Sequence, residues 1–249
     1  MAENKLFEIL AKFTKREDGV DHAARSMSLN IMVVSLAAAC AGGEVVKLYR
    51  HVCEGLPLDE QKLVQRRIKE ALIKTGHLYG TPKVIQALFP LFQDLKDEEI
   101  DQYGPRYSSI NSSFPTAPFQ PPQRALAATE FFANLWGNPS TAQKNLEYNL
   151  KYCPDLHFLV TMNLTWLVSE PEIFTAPETC MLNGSAMICS RSGRQAYWHV
   201  RGVVRQGGTK EQAQLAQELA LEIAGLYGVD VGGVVQWEDF EWEGREGHV

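Results

Sequence analysis

Residues 49–80 read YRHVCEGLPLDEQKLVQRRIKEALIKTGHLYG, and residues 197–228 read YWHVRGVVRQGGTKEQAQLAQELALEIAGLYG. Laid over one another at an offset of 148 without gaps, the two stretches share eight of 32 positions. Tyr49, His51 and Val52 meet Tyr197, His199 and Val200, and Lys62 and Glu70 meet Lys210 and Glu218. Leu78, Tyr79 and Gly80 meet Leu226, Tyr227 and Gly228. Chance would give roughly two matches, so the pattern predicts an internal duplication. Each copy is a helix carrying a histidine near its end, a glycine-containing turn, and a second helix closing on Leu-Tyr-Gly. Such a hairpin cannot bury its apolar face alone, and two copies packed together would close a core.

The flanking sequence is helical in the same style. Leu6–Arg16 is amphipathic, and the long apolar run Ala24–Ala41 stops at Gly42-Gly43. A helix is expected over Glu44–Glu54, with Asp59 capping the next one. In that next helix Val64, Ile68, Ala71, Leu72 and Thr75 recur at helical spacing up to Tyr79. Lys83–Leu95 follows. Residues 103–123 hold five prolines, which predicts a linker without regular structure. Helices are then expected over Arg124–Trp136, from a Ser140 cap to Tyr152, from Thr175 to Ile188, over Gly193–Gln206, and from Thr209 to Tyr227. Thr175 and Glu178 have the spacing of a capping box. Phe158–Leu164 is a short strand candidate without a hairpin partner. The class is all-α. The expected halves are 1–103 and 124–233, joined by 104–123 and followed by an acidic, tryptophan-containing tail at 234–249.

Composition narrows the function. The chain has 249 residues, 45% of them hydrophobic, and a net charge of −6. A mildly acidic protein with scattered basic residues offers no field for nucleic acid or anionic lipid. Five cysteines, at 40, 53, 153, 180 and 189, form no CxxC pair, so neither a disulfide framework nor a zinc site is expected. His22, His77, His157 and His248 lack ligand spacing, so no metal is expected. The longest apolar stretch, Leu29–Ala41, is shorter than the ~20 residues a bilayer requires. Acidic residues interrupt the first eighteen positions, which therefore read as neither a signal nor a transit peptide. A cytoplasmic protein is the expectation.

On His51, Gly55, Leu56, Asp59, Glu60, Glu70 and the Tyr79-Gly80-Thr81-Pro82 close, the chain resembles the AhpD/carboxymuconolactone decarboxylase superfamily. The second copy carries the resemblance through Ser185–Gly208, centred on His199, and Thr209-Lys210-Glu211. The resemblance implies an all-helical fold and homo-oligomers, often trimers or hexamers, with sites near subunit contacts. The peroxidase branch uses a C-x2-C-x3-H motif. Ser192 and Gln195 stand at those cysteine positions before His199, and Glu44 and Lys47 before His51. Disulfide cycling needs a resolving thiol, so the resemblance does not extend to that chemistry. The decarboxylase-type branch, which relies on acid/base groups, is the nearer analogue.

His199 is the leading candidate for proton transfer near neutral pH, against the alternative of a histidine that only bonds backbone. Glu178 is its expected partner, against the alternative of a helix cap. Arg201, Trp198 and Arg194 are candidates to hold a carboxylate or a ring. The expected function is a cofactor-free acid/base enzyme on a small organic acid or lactone. The alternatives are an antioxidant protein using a single cysteine, and a non-catalytic binding or oligomer-forming protein.

Overall fold

Twelve α-helices and no strand occur among the described residues, 2–110 and 122–242, of the computed structural model. The first five are α1 (Ala2–Thr14), α2 (Met27–Ala38), α3 (Val45–Cys53), α4 (Leu58–Tyr79) and α5 (Thr81–Asp94). Then come α6 (Pro105–Ile110), α7 (Pro122–Leu135), α8 (Pro139–Tyr152) and α9 (Pro154–Asn163), which runs into a π turn at Leu164–Val168. The last three are α10 (Ala176–Cys189), α11 (Gly193–Arg205) and α12 (Lys210–Leu226).

The centre of the core is the pair α2 and α10. All twelve residues of α2 are buried, and so are Thr179 to Cys189 of α10. A helix apolar on every side needs neighbours on every side. Accordingly α2 packs on α10, α4 and α12, while α10 packs on α11, α12 and α4. The two halves therefore share one core. The start of α2 is fixed by Glu17, whose carboxylate accepts from the Met27 and Ser28 backbone amides at 2.7 and 2.9 Å. An acid on those free amides also complements the helix dipole.

Capping chemistry sets the other ends. Thr175 and Glu178 form the expected box, the Thr175 amide donating to Glu178 Oε2 at 2.8 Å. Thr209 and Gln212 form a second box at the start of α12. Ser140 is not the cap of α8. Asn138 caps it, accepting from the Thr141 amide at 2.8 Å, with Pro139 at the first helical position. Likewise Pro57, not Asp59, precedes α4, and Asp59 lies inside its first turn.

Two stretches differ from the sequence expectation. Residues 105–110, within the expected linker, form α6. Pro105 opens it, where a missing N–H costs nothing. The rest of that linker, residues 111–121, lies outside the described residues. The strand candidate Phe158–Leu164 is helical, because helix α9 starts at Pro154 and runs through it. The tail packs as an arm as far as Trp242: Phe240 and Trp242 stack, Trp237 packs at an angle to both, and Phe240 meets Tyr197. No helix among the described residues is long and apolar enough to cross a membrane.

Candidate functional site

The five residues singled out by sequence fall in four places. His199 sits midway along α11 with its ring half-buried. Its Nδ1 is sealed from solvent and has no hydrogen-bond partner among the described residues. Burial, helped by the neighbouring His77 of α4, pulls its pKa down to about 3. His77 is drawn down to about 4, again chiefly by burial. The two imidazoles are thus neutral neighbours at pH 7.

Trp198 packs on Trp136 with ring centres 4.9 Å apart, and the Arg194 guanidinium lies 5.8 Å from the Trp198 ring. Arg201 is buried and holds the C-terminal arm. Its Nη1 donates to Tyr197 Oη at 3.2 Å and to the Glu241 carbonyl at 3.0 Å.

Glu178 is not brought to His199. Along the α10–α11 pair, Gly184 meets Val200 and Cys180 meets Gly202. Glu178 therefore lies about six residues below the level of His199, roughly 9 Å of helical rise. Its neighbour is Arg67 of α4, whose Nη2 stands 3.9 Å from Glu178 Oε1. The capping box occupies only Oε2, which accepts from both the Thr175 amide and its hydroxyl at 2.8 Å.

Arg67 opens onto a crevice of about 450 Å³ between the first turns of α4 and the segment before α10. Arg25, Glu60, Leu63, Arg66 and Glu172 share its walls. Two of its three guanidiniums are matched. Arg66 grips Asp101 with two bonds, at 2.8 and 3.1 Å. Arg25 reaches Glu60 at 3.3 Å. Arg67 is matched less well. Its Nη2 donates to the Met27 thioether at 3.2 Å, its guanidinium lies 4.8 Å from the Phe174 ring, and its buried Nε has no partner among the described residues. Burial lowers its pKa, with Glu178 and Glu17 pulling the other way. That Nε is sealed from the crevice, but the guanidinium lines its wall, and a guanidinium there suits an anion, above all a carboxylate.

A second polar cluster lies deeper and is closed. Lys74, fully buried on α4, donates to the carbonyls of Leu167, Val168 and Glu170 at 3.3, 2.7 and 2.6 Å. Those carbonyls end the π turn, where helical partners run out. Arg106 donates to Trp166 and Leu167 carbonyls and binds Glu70 at 2.7 and 2.8 Å. Burial lowers Lys74 to about 7, against the pull of Glu70. Its three N–H bonds all go to backbone, so it joins the halves and offers nothing to a ligand.

The thiols are dispersed. Cys53, Cys180 and Cys189 are buried, and burial raises all three: Cys53 and Cys189 to about 12, and Cys180 further. Cys40 and Cys153 are exposed. Among the described residues no three histidine, cysteine or acidic side chains cluster as metal ligands would. His51, which the sequence comparison sets opposite His199, is exposed and stacks on Phe7 with ring centres 4.0 Å apart.

Sequence reading missed Arg67. It stands in the chain only as half of the Arg66-Arg67 pair. Nothing in the spacing distinguishes the arginine that grips a carboxylate with two bonds from the one that only approaches one. No family model, curated protein or solved structure matches the chain.

Proposed function

We propose that this chain is a tandem AhpD/carboxymuconolactone decarboxylase-type protein that binds a small organic acid in the Arg67 crevice and acts on it by acid/base chemistry. The carrying observation is the Arg67–Glu178 pair: a guanidinium on the crevice wall that no carboxylate grips closely, beside a carboxylate with one oxygen left over from its capping duty. Arg67 would hold the substrate carboxylate. Glu178 Oε1, 3.9 Å from the Arg67 Nη2, would take or return a proton at the neighbouring carbon of an acid seated beside the pair. In this reading His199 is a neutral packing residue with His77. The tandem assignment is supported by packing. α2 and α10 each precede an equivalent helix–turn–helix, and each touches the long second helix of both copies.

The test is calorimetric titration with small mono- and dicarboxylates. Arg67→Gln should weaken the best binder at least tenfold, the loss of about 1.4 kcal/mol expected for one charge-assisted contact. His199→Gln should leave binding unchanged. Equal affinity in wild type and Arg67→Gln removes the proposal. If binding follows Arg67 but the acid is recovered unaltered from the wild type, the non-catalytic binding reading takes its place.

A further inference from the structure

Thr75, Thr129 and Thr179 each donate a hydroxyl hydrogen bond to the carbonyl four residues back, at 2.8, 2.9 and 2.9 Å. That bond is a common resting place for a hydroxyl inside an α-helix. Thr165 departs from it. It is 2% exposed and lies in the π turn Leu164–Val168. Its hydroxyl has no hydrogen-bond partner among the described residues. A π turn moves the hydrogen-bonding register from four residues to five, and such turns recur where a protein binds or reacts.

Thr165 lines a cavity of about 320 Å³ between α7, α8 and the end of α9. Ala125, Ala128, Ala133 and Ala142 leave that space open, since a longer side chain at any of them would enter it. Phe132 and Leu146 add apolar wall, and no charged side chain of the described residues lines it. Thr161, one turn before Thr165, shares the wall. The other polar groups there are engaged: Thr129 with the Ala125 carbonyl, and Gln143 Nε2 with Glu147 at 3.0 Å. The volume is at the small end of the ~300–1,000 Å³ of small-molecule sites. A cavity of roughly 150 Å³ takes one benzene ring, so this one has room for about two fused rings. An ion entering it would lose its hydration without compensation. A ligand oxygen, by contrast, would supply the hydrogen bond that the Thr165 hydroxyl lacks.

We propose that this cavity binds a small uncharged molecule, mostly hydrocarbon and about two fused rings in size, that presents one oxygen to Thr165. Its walls lie outside both stretches that carry the family resemblance. The site does not rest on the reading of the Arg67 crevice, whose ligand is an anion.

Naphthol, uncharged at neutral pH, is the probe. Calorimetric titration of the full chain should give a Kd below about 100 μM, a modest yield for a molecule of that size. Naphthalene should bind about fivefold more weakly, the worth of one neutral hydrogen bond. Thr165→Val, which removes the hydroxyl at nearly constant volume, should weaken naphthol by about fivefold and leave naphthalene unchanged. Ala142→Leu fills the space and should weaken both at least about tenfold. Naphthoate should not displace naphthol, whatever it does in the Arg67 crevice. Circular dichroism checks that each variant is folded. Should Ala142→Leu unfold, the Thr165→Val comparison decides. A wild type that binds no naphthol up to its solubility limit overturns the proposal. So does binding that a folded Ala142→Leu leaves intact, an equal effect of Thr165→Val on naphthol and naphthalene, or displacement of naphthol by naphthoate.

Discussion

His199 and Arg67 show how little a residue's identity says about its role. Both are groups that catalysis uses, and the fold gives them opposite surroundings. His199 and His77 are held neutral by burial, at about 3 and about 4. Both values lie below the ~6.5 of an unfolded histidine. Above pH 6.5 the two states hold the same protons. Between 6.5 and the folded values the unfolded chain binds protons that the folded chain refuses, so stability falls as pH falls. Each histidine can contribute a slope of up to about 1.4 kcal/mol per pH unit. The interval from about 6.5 to about 5 keeps carboxylate titration out of the reading. Urea unfolding across that interval should show a shallower slope for the His77→Gln/His199→Gln double variant than for the wild type. Identical slopes would mean that the two rings stay open to water. Arg67 is the converse case: a residue sequence reading passed over, distinguished because Arg25 and Arg66 hold Glu60 and Asp101 while its own carboxylate neighbour, Glu178, stands 3.9 Å away.

At the scale of elements, capping predicted better than composition did. The Thr175–Glu178 box is formed as its spacing requires, and Gly207-Gly208-Thr209 opens α12. Proline density misled at Pro105, since proline forbids a helix interior and not a helix start. The C-terminal arm is an element whose hold comes from one glycine as well as its aromatic rings. A Cβ on Gly193 would stand 2.4 Å from the Gly233 carbonyl oxygen and 2.6 Å from its carbon. Backbone cannot yield as a side chain would. Gly193→Ala should therefore displace the arm and cost about 1–3 kcal/mol, the usual penalty of overpacking. Tryptophan fluorescence should shift to the red as Trp237 and Trp242 meet water. An unchanged emission maximum, with unchanged stability, would show that the arm is not seated against α11.

Across the whole molecule the two halves share one core. α2 has no solvent-facing side, and α10 and α12 of the other half cover part of it. Lys74 ties α4 to the π turn of the second half through three carbonyls. Residues 1–103 expressed alone would expose the apolar flank of α2 and leave Lys74 and Glu70 without Arg106 and the π turn. That fragment should lack a cooperative thermal transition by circular dichroism, and mixing with residues 104–249 should restore one. A fragment that melts cooperatively by itself would show that the halves are separate domains.

The helical class and most helix boundaries were legible from the chain alone. Periodicity, caps and glycine stops act over a few residues and leave their mark in order and spacing. The site was not legible in that way. Glu178 was picked out, but its partner is Arg67, 111 positions earlier, and not His199, 21 positions later. Which groups share a cavity depends on helix rotation and on how the halves dock. Whether a charge is already satisfied depends on every neighbour at once. Only the packed molecule decides either, because burial and charge pairing are properties of a place in space, and sequence distance does not measure it.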